Sequence, residues 1–508
     1  MLSRVRSASL YGIEAHPIDV EVDIASRGLP HFYIVGLPDI SVRESRDRVR
    51  AALKNTGFSF PLRPVTINLA PADLKKEGSS FDLPIAIGLA ASEGLIEEAA
   101  LADYLVLGEL SLDGKIKPVK GALSVAMLAR KTSSKLILPV ENCQEAAVVS
   151  GTMVLGASSL PEVIEFLRGT GELKSFKPDG GPSLAQPGRF EEDFSEVKGQ
   201  EHAKRALEVA ASGGHNALMI GPPGAGKTML SKRLPGILPS ITFEEALETT
   251  RIHSVAGLLK DGMALLDTRP FRTPHHTISD VALIGGGQFP HPGEASLAHN
   301  GVLFLDELPE FKRSVLEVLR QPLENGEVTV SRAQASITFP ARFMLVSAMN
   351  PCPCGYLGDD RHQCTCTQSA VMRYRARVSG PLLDRIDIHI EVPAVPYKDL
   401  SSDSPGEGTA AIRERVMAAR QRQLDRFRGE NIYANGQMKT RHIKKFCRLN
   451  TSAQSLMETA IQKLALSARA YTRVLKLSRT IADMDGQEDI GPAHLSEAIQ
   501  YRSLDRVL

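Results

Sequence analysis

The 508-residue sequence predicts a multidomain α/β protein. Three observations carry that expectation. Short β-rich runs alternate with helical ones through most of the chain, a glycine-rich phosphate loop lies between an apolar run and a helical pattern near 217–228, and the residues beyond 408 turn almost wholly helical. Domains of ordinary size put about three units in such a length, enough to bury several cores without disulfide or metal staples. Hydrophobic residues at 43% and charged residues at 23% exclude disordered and fibrous classes. The formal net charge is +1, so nucleic-acid binding has to come from local patches and not from an overall basic field. The best apolar run, Leu83 to Leu95, is broken by Ser92 and Glu93, and falls short of the ~20 residues of a membrane span. Arg4 and Arg6 precede only a short mixed stretch, too weak for a secretory signal. The expectation is a cytoplasmic protein with no membrane partner.

Residues 1–168 form the first expected unit, of α+β type. The alternation IDVEVDI at Ile18 to Ile24 suits a half-buried strand, and Val65 to Leu69 and Tyr104 to Leu107 also read as strands. Glu44 to Asn55 and Ala122 to Arg130 carry helical apolar spacing. Residues 169–190 hold five Gly and three Pro with little apolar content, and read as a linker. From 191 to 400 the strand–helix alternation resumes, which predicts a parallel αβα sheet. Beyond the Ser/Asp/Pro/Gly stretch Ser401 to Gly408, residues 401–508 read as a helical domain.

The phosphate loop is the sharpest signal. The apolar run ALMI at 217–220 is followed at once by Gly221, Pro222, Pro223, Gly224, Ala225, Gly226, Lys227 and Thr228, then by a helical pattern. Glycines let backbone N–H groups close around a β-phosphate at a helix N-terminus. Lys227 supplies a point charge to the β- and γ-phosphates of ATP, and Thr228 offers its hydroxyl to Mg²⁺. The run GVLFLDE at 301–307 is an apolar strand that delivers two carboxylates about 80 residues beyond the loop. Asp306 is placed to hold Mg²⁺ through water, and Glu307 to polarise the attacking water. A further strand candidate, Phe343 to Ala348, ends near Asn350, whose amide could orient that water; an ordinary turn-forming Asn is the alternative.

Cys352, Cys354, Cys364 and Cys366 make C-x-C-x₉-C-x-C directly after Asn350. Four thiolates so spaced can close a tetrahedral structural Zn²⁺ site that braces the loop, with His362 as a substitute ligand. Reduced thiols and two disulfides are the other readings. Cys143 and Cys447 are isolated and read as packed.

At this point a resemblance becomes specific. The segments VKGQEHAKRALEVAASGGHNALMIGPPGAGKT, FRTPHHTISDVALIGGG, PGEASLAHNGVLFLDELPEF and SGPLLDRIDI resemble an AAA+ ATPase module of magnesium-chelatase type, and nearly the whole chain is similar to the bacterial ComM/YifB family. The resemblance implies a homo-hexameric ring that hydrolyses ATP between subunits. It makes Arg385 an arginine acting on the neighbour's γ-phosphate, and Arg469 the second-sensor arginine that binds nucleotide, with Arg473 its rival. It also implies a helix-2 insertion near Thr273 to Phe289 and a hairpin near Val328 to Phe339 with Arg332 at its bend. His275 and His276 are candidate site residues, although His beside Pro in a loop is more often structural.

Residues 1–168 resemble the proteolytic domain of Lon-type proteases, with Ser80 at the nucleophile's place. The partner lysine's position is held by Leu123, with Lys120 three residues away, so the expectation is a non-catalytic scaffold. From Ser401 onward, 18 Lys and Arg stand against 12 Asp and Glu. Arg413, Arg415, Arg420, Arg422, Arg426 and Arg428 on one helix, followed by Lys439, Arg441, Lys444 and Lys445, are either a phosphate-binding patch or a solvated face. The resemblance implies a DNA helicase that acts on single-stranded or branched DNA without sequence specificity, promoting branch migration during natural transformation. A chelatase-like metal-insertion motor, an ATP-dependent protease and a nucleotide-gated assembly protein are the alternatives.

Overall fold

A computed structural model describes residues 2–177, 192–260, 262–287, 290–332, 335–359, 361–396, 406–430, 432–464 and 466–506. The chain divides into two compact units, Met1–Ala185 with Phe243–Asp267, and Gln186–Thr242 with Thr268–Leu508.

The first unit is built on a mixed eight-stranded sheet. Its order is Lys174–Phe176, Val154–Ala157, Lys135–Pro139, Tyr104–Val106, Leu2–Tyr11, Glu14–Ile24, Val65–Ala70 and Phe32–Val35. The alternation read in Ile18 to Ile24 holds: Ile18, Val20, Val22 and Ile24 all turn into the core, as a period of two requires. The apolar run from Leu83 becomes the helix Asp82–Ser92, buried along its whole length under this sheet. Gly88 lies so close to Val22 that an added Cβ would sit 2.6 Å from Val22 Cγ2. Among the described residues no helix is long and apolar enough to cross a membrane.

Two features of this unit differ from the sequence reading. The stretch expected as linker, 169–190, contains Lys174–Phe176, an edge strand antiparallel to Val154–Ala157; residues 178–190 of that expected linker lie outside the described residues. The helix Phe243–Ala256, which falls inside the expected ATPase segment, is part of the first unit. Its Arg251 donates to the Ile13 carbonyl (3.1 Å) and pairs with Glu14 (2.7 Å), and its Ser254 hydroxyl bonds the buried Glu145 carboxylate. Periodicity marks such a segment as helical but says nothing about which core it enters.

The second unit has an all-parallel five-stranded sheet, ordered Phe271–Arg272, Val302–Leu305, Met344–Met349, Ala217–Ile220 and Ile388–Glu391. Both faces are covered, which is why the strands read as continuous apolar runs. Ala217, Met219, Val302, Phe304, Val346 and Ile388 face one core, shared with the helices Glu201–Gly213 and Lys227–Ile237 and with the C-terminal helices Thr409–Arg426, Thr451–Leu464 and Ala468–Met484. Leu218, Ile220, Leu303, Leu305 and Leu345 face the other, closed by Leu283, Phe311, Leu316 and Leu382. The molecule is therefore α/β and multidomain with a C-terminal helical region, as the sequence predicts.

Candidate nucleotide site and cysteine cluster

Parallel strands end at one edge, and their order decides which ends are neighbours. Met344–Met349 lies between Ala217–Ile220 and Val302–Leu305, so Asn350 emerges between the phosphate loop and Asp306. Gly221 continues the ladder by donating its N–H to the Met349 carbonyl (3.2 Å). Gly224 (φ +75°) and Gly226 (φ +90°) take left-handed conformations that L side chains rarely adopt, and Lys227 opens the following helix. Lys227 Nζ donates to the Gly221 carbonyl (2.7 Å), the Pro222 carbonyl (2.9 Å) and Asn350 Oδ1 (3.1 Å). Burial lowers the pKa of this ammonium, with Asp306 and then Glu307 opposing the shift.

Thr228 Oγ1 donates to Asp306 Oδ2 at 2.7 Å, bringing together two hard oxygen donors at an exposed spot. That donor set fits Mg²⁺, which takes few protein oxygens and keeps waters. Glu307 sits at φ 52°, an uncommon conformation for a residue with a side chain and one that clusters at functional sites. Its carboxylate is exposed and lies 3.6 Å from His276 Nδ1. His276 in turn rests on His275 (ring centroids 4.1 Å apart) and against Phe311.

A further residue belongs here that sequence reasoning did not single out. Gln200, at φ 60°, donates to the Pro393 carbonyl (2.5 Å) and the Ala225 carbonyl (3.4 Å). With His202, Pro393, Val395 and Leu504 it lines a cleft of about 660 Å³. The only signal for it was the VKGQ tetrapeptide ahead of a helix.

Arg385 is only 6% exposed. Its guanidinium donates to the Pro381 carbonyl (2.7 Å) and pairs with Glu324, while its Nε has no partner among the described residues. Asp384 and Asp387, its flanking acids, are engaged elsewhere. Asp384 pairs with the exposed Arg469 at 3.6 Å, and Asp387 is buried against Arg473 and His215. Among the described residues neither Arg385 nor Arg469 forms a hydrogen bond or ion pair with Gly221–Thr228, Asp306 or Glu307. The structure thus gathers Lys227, Thr228, Asp306 and Asn350 with Glu307 beside them, and collects Arg385 and Arg469 separately around Glu324 and Asp384.

The four clustered cysteines are free thiols whose sulfurs all lie within 4.8 Å of one another. Cys352 is 3.4 Å from Cys354 and 3.7 Å from Cys364, and Cys354 is 3.6 Å from Cys364. Sulfurs held about 2.3 Å from a central ion in a tetrahedron stand about 3.8 Å apart, so the spacing fits a zinc site. Backbone N–H groups of Tyr356 and then Thr365 pull the Cys354 thiol down to about 6. His362 bonds Asp359 (3.1 Å) and lies beside Tyr356, apart from the thiol cluster.

Comparison with known proteins decides the family. A model of magnesium chelatase subunit ChlI matches residues 193–400, one of subunit ChlI of Mg-chelatase matches 20–142, and one of the ChlI C-terminal region matches 406–502. The chain is 46% identical to the YifB protein of Escherichia coli K12, over all of this chain and 98% of that protein. It is also 46% identical, with the same coverage, to the competence protein ComM of Haemophilus influenzae Rd. This chain belongs to the ComM/YifB family. Members share the AAA+ module of magnesium-chelatase type, and with it the use of ATP and Mg²⁺. A more distant relative, the magnesium-chelatase 38 kDa subunit of Rhodobacter capsulatus, is 26% identical over 59% of this chain and 84% of its own length.

Two other expectations for this ComM/YifB chain meet the structure in different ways. In the first unit Ser80 offers its carbonyl to Gly108 N–H (3.0 Å), Leu123 is fully buried with its N–H on Glu145, and Lys120 lies along Gly257. No lysine hydrogen-bonds the Ser80 hydroxyl among the described residues. The arginine-rich helix Thr409–Arg426 is not a free phosphate-binding face. Arg415 pairs with Glu208 and Glu407, Arg420 donates to the Ala211 and Ser212 carbonyls, and Arg426 pairs with Asp483. These guanidiniums satisfy carboxylates and carbonyls inside the unit. Lys439, Lys444 and Lys445 stay exposed around the next helix, Thr440–Phe446. Of the hairpin, strands Glu327–Arg332 and Ala335–Pro340 pair antiparallel, and residues 333–334 and the Arg332 side chain lie outside the described residues.

Proposed function

We propose that this chain is an ATP-hydrolysing motor that works as a ring of identical subunits, most simply a homo-hexamer, and acts on DNA. The observation that carries the reading is the division of the catalytic groups. Lys227, Thr228, Asp306, Asn350 and Glu307 converge at one sheet edge, whereas Arg385 and Arg469 are held apart, on Glu324 and Asp384. A second copy would bring the missing positive charge to the γ-phosphate, where charge grows as the bond breaks. Glu324 is itself well exposed, so a phosphate of a neighbouring site can replace it at Arg385. Within the site Glu307 polarises the attacking water, Asn350 orients it, and Lys227 neutralises the phosphates. Thr228 and Asp306 would hold Mg²⁺, which when bound would supply neutralising charge to the phosphates.

The DNA part of the reading rests on the full-length likeness to a competence protein, and its finer form is branch migration or helicase action during natural transformation. The first unit then serves as a non-catalytic scaffold, and the thiol cluster holds a structural Zn²⁺. Steady-state ATP hydrolysis with and without single-stranded and branched DNA tests the proposal. Several-fold stimulation by DNA, abolished in Lys227→Ala and Arg385→Ala, is the expected outcome. Hydrolysis indifferent to every DNA would overturn the motor-on-DNA reading and favour a chelatase-like or assembly role.

A further inference from the structure

The thiol cluster touches the nucleotide site directly. Asn350 directly follows the central strand Met344–Met349, Pro351 comes next, and Cys352 begins a tight turn closed by the Gly355 N–H on the Cys352 carbonyl (3.0 Å). Gly355 holds φ +89° and backs onto the phosphate loop. A Cβ built there would lie 2.6 Å from Pro223 Cδ, 2.7 Å from Pro223 Cγ and 3.9 Å from Asn350 Cγ. The second thiol pair, Cys364 and Cys366, leads into the helix Gln368–Arg375, whose Arg375 Nε donates to the Pro351 carbonyl (3.2 Å). The described part of the excursion from Cys352 to Cys366 has no helix or strand of its own, and of the four thiol residues only Cys352 is buried. The sulfurs, and the Cys354 N–H on Cys366 Sγ (3.4 Å), bring its two ends together.

We infer that Zn²⁺ in the four-cysteine site is a positioning element of the nucleotide site, setting the phosphate loop through Gly355 on Pro223 and through Asn350. The inference rests on the zinc reading above and extends it: the ion does no chemistry, but its loss loosens the turn behind the loop. A phosphate cradle works by presenting N–H groups already aimed, and a displacement of about 1 Å in such a site can cost about 100-fold in rate. Losing the backing turn is therefore expected to weaken nucleotide binding by about tenfold, within that range.

Two variants of the full chain separate the parts of this inference. Cys364→Ser removes a ligand. Gly355→Ala keeps all four thiols but forces a methyl group against Pro223. Zinc is measured by elemental analysis of the purified protein, nucleotide affinity by titration with a fluorescent ATP analogue, and KM and kcat by steady-state hydrolysis. The expected result is one zinc per wild-type chain, zinc lost in Cys364→Ser and retained in Gly355→Ala, and affinity lowered about tenfold in both. A wild-type chain without zinc overturns the zinc reading and the inference with it. Zinc present in the wild type with unchanged affinity in the zinc-free Cys364→Ser leaves the zinc reading intact and overturns the coupling, whatever Gly355→Ala shows. Should Cys364→Ser fail to fold, affinity measured on the folded wild type before and after zinc removal by a chelator decides the coupling, and an unchanged affinity overturns it.

Discussion

At the scale of single residues, the site assigns separable jobs to adjacent carboxylates. Asp306 is tied to the Thr228 hydroxyl, whereas Glu307 turns away at a left-handed φ with its carboxylate beside His276. Glu307→Gln should therefore bind ATP with wild-type affinity while hydrolysis falls by at least about 100-fold, the usual contribution of a positioned base. Nucleotide titration alongside phosphate release checks this, and a variant that loses binding and turnover together would show that Glu307 also shapes the nucleotide pocket. Much of this site was legible beforehand, because its chemistry is short and contiguous: a glycine loop, two acids after an apolar strand, an amide after another. The surroundings of Arg385 were not. Its ion-pair partner Glu324 is remote in sequence, whereas the flanking Asp384 and Asp387 pair with Arg469 and Arg473.

Among the elements, the helix Ile40–Asn55 shows how a cap ties a loop to its neighbour. Asp39 accepts the Val42 N–H (2.7 Å) as N-cap and the Gly78 N–H (3.1 Å) from the loop after the strand Val65–Ala70. In that loop burial pushes the Glu77 carboxyl up to about 7, against the pull of Lys75 and with a further push from Asp39. The unfolded chain ionises this group near 4.5, so between 4.5 and about 7 the native state holds the extra proton and stability falls as pH rises. The penalty is full above pH 7. Glu77→Gln should thus melt higher than the wild type at pH 8, by about 1 kcal/mol once partial exposure is discounted, and match it at pH 4. Equal melting at both pH values would mean that solvent reaches the carboxylate freely. Some strands and helices were legible in the sequence, since Ile18 to Ile24 shows its burial by alternation and Ala217 to Ile220 by its continuous apolar run. The ion pairs of the arginines on Thr409–Arg426 were not legible because Glu208 and Asp483 come from other helices, and a run of like charges does not reveal them.

For the whole molecule, the proposed ring, in which each site would borrow an arginine, is tested by a mixing experiment. Lys227→Ala and Arg385→Ala chains are each expected to be inactive alone. Mixed, they should recover a fraction of wild-type hydrolysis, because some interfaces then pair an intact phosphate loop with an intact arginine. No recovery, in rings shown by sedimentation to contain both chains, would place Arg385 in its own subunit's structure and not in its neighbour's site.

The path of the chain through the two compact units also has a consequence for biosynthesis. The first unit takes Met1–Ala185, gives way to the second, and is completed only by Phe243–Asp267. On the ribosome, therefore, the N-terminal sheet must wait for its last helix until residue 267 has been polymerised. At about 5–20 residues per second that delay lasts several seconds. During it Ile13, Ser124 and Glu145 lack the partners that Arg251 and Ser254 provide. Nascent chains stalled before residue 243 should stay protease-sensitive in the N-terminal region, and those released beyond 267 should not. Vectorial synthesis thus couples completion of the first unit to the arrival of the phosphate loop, which is translated in the interval between.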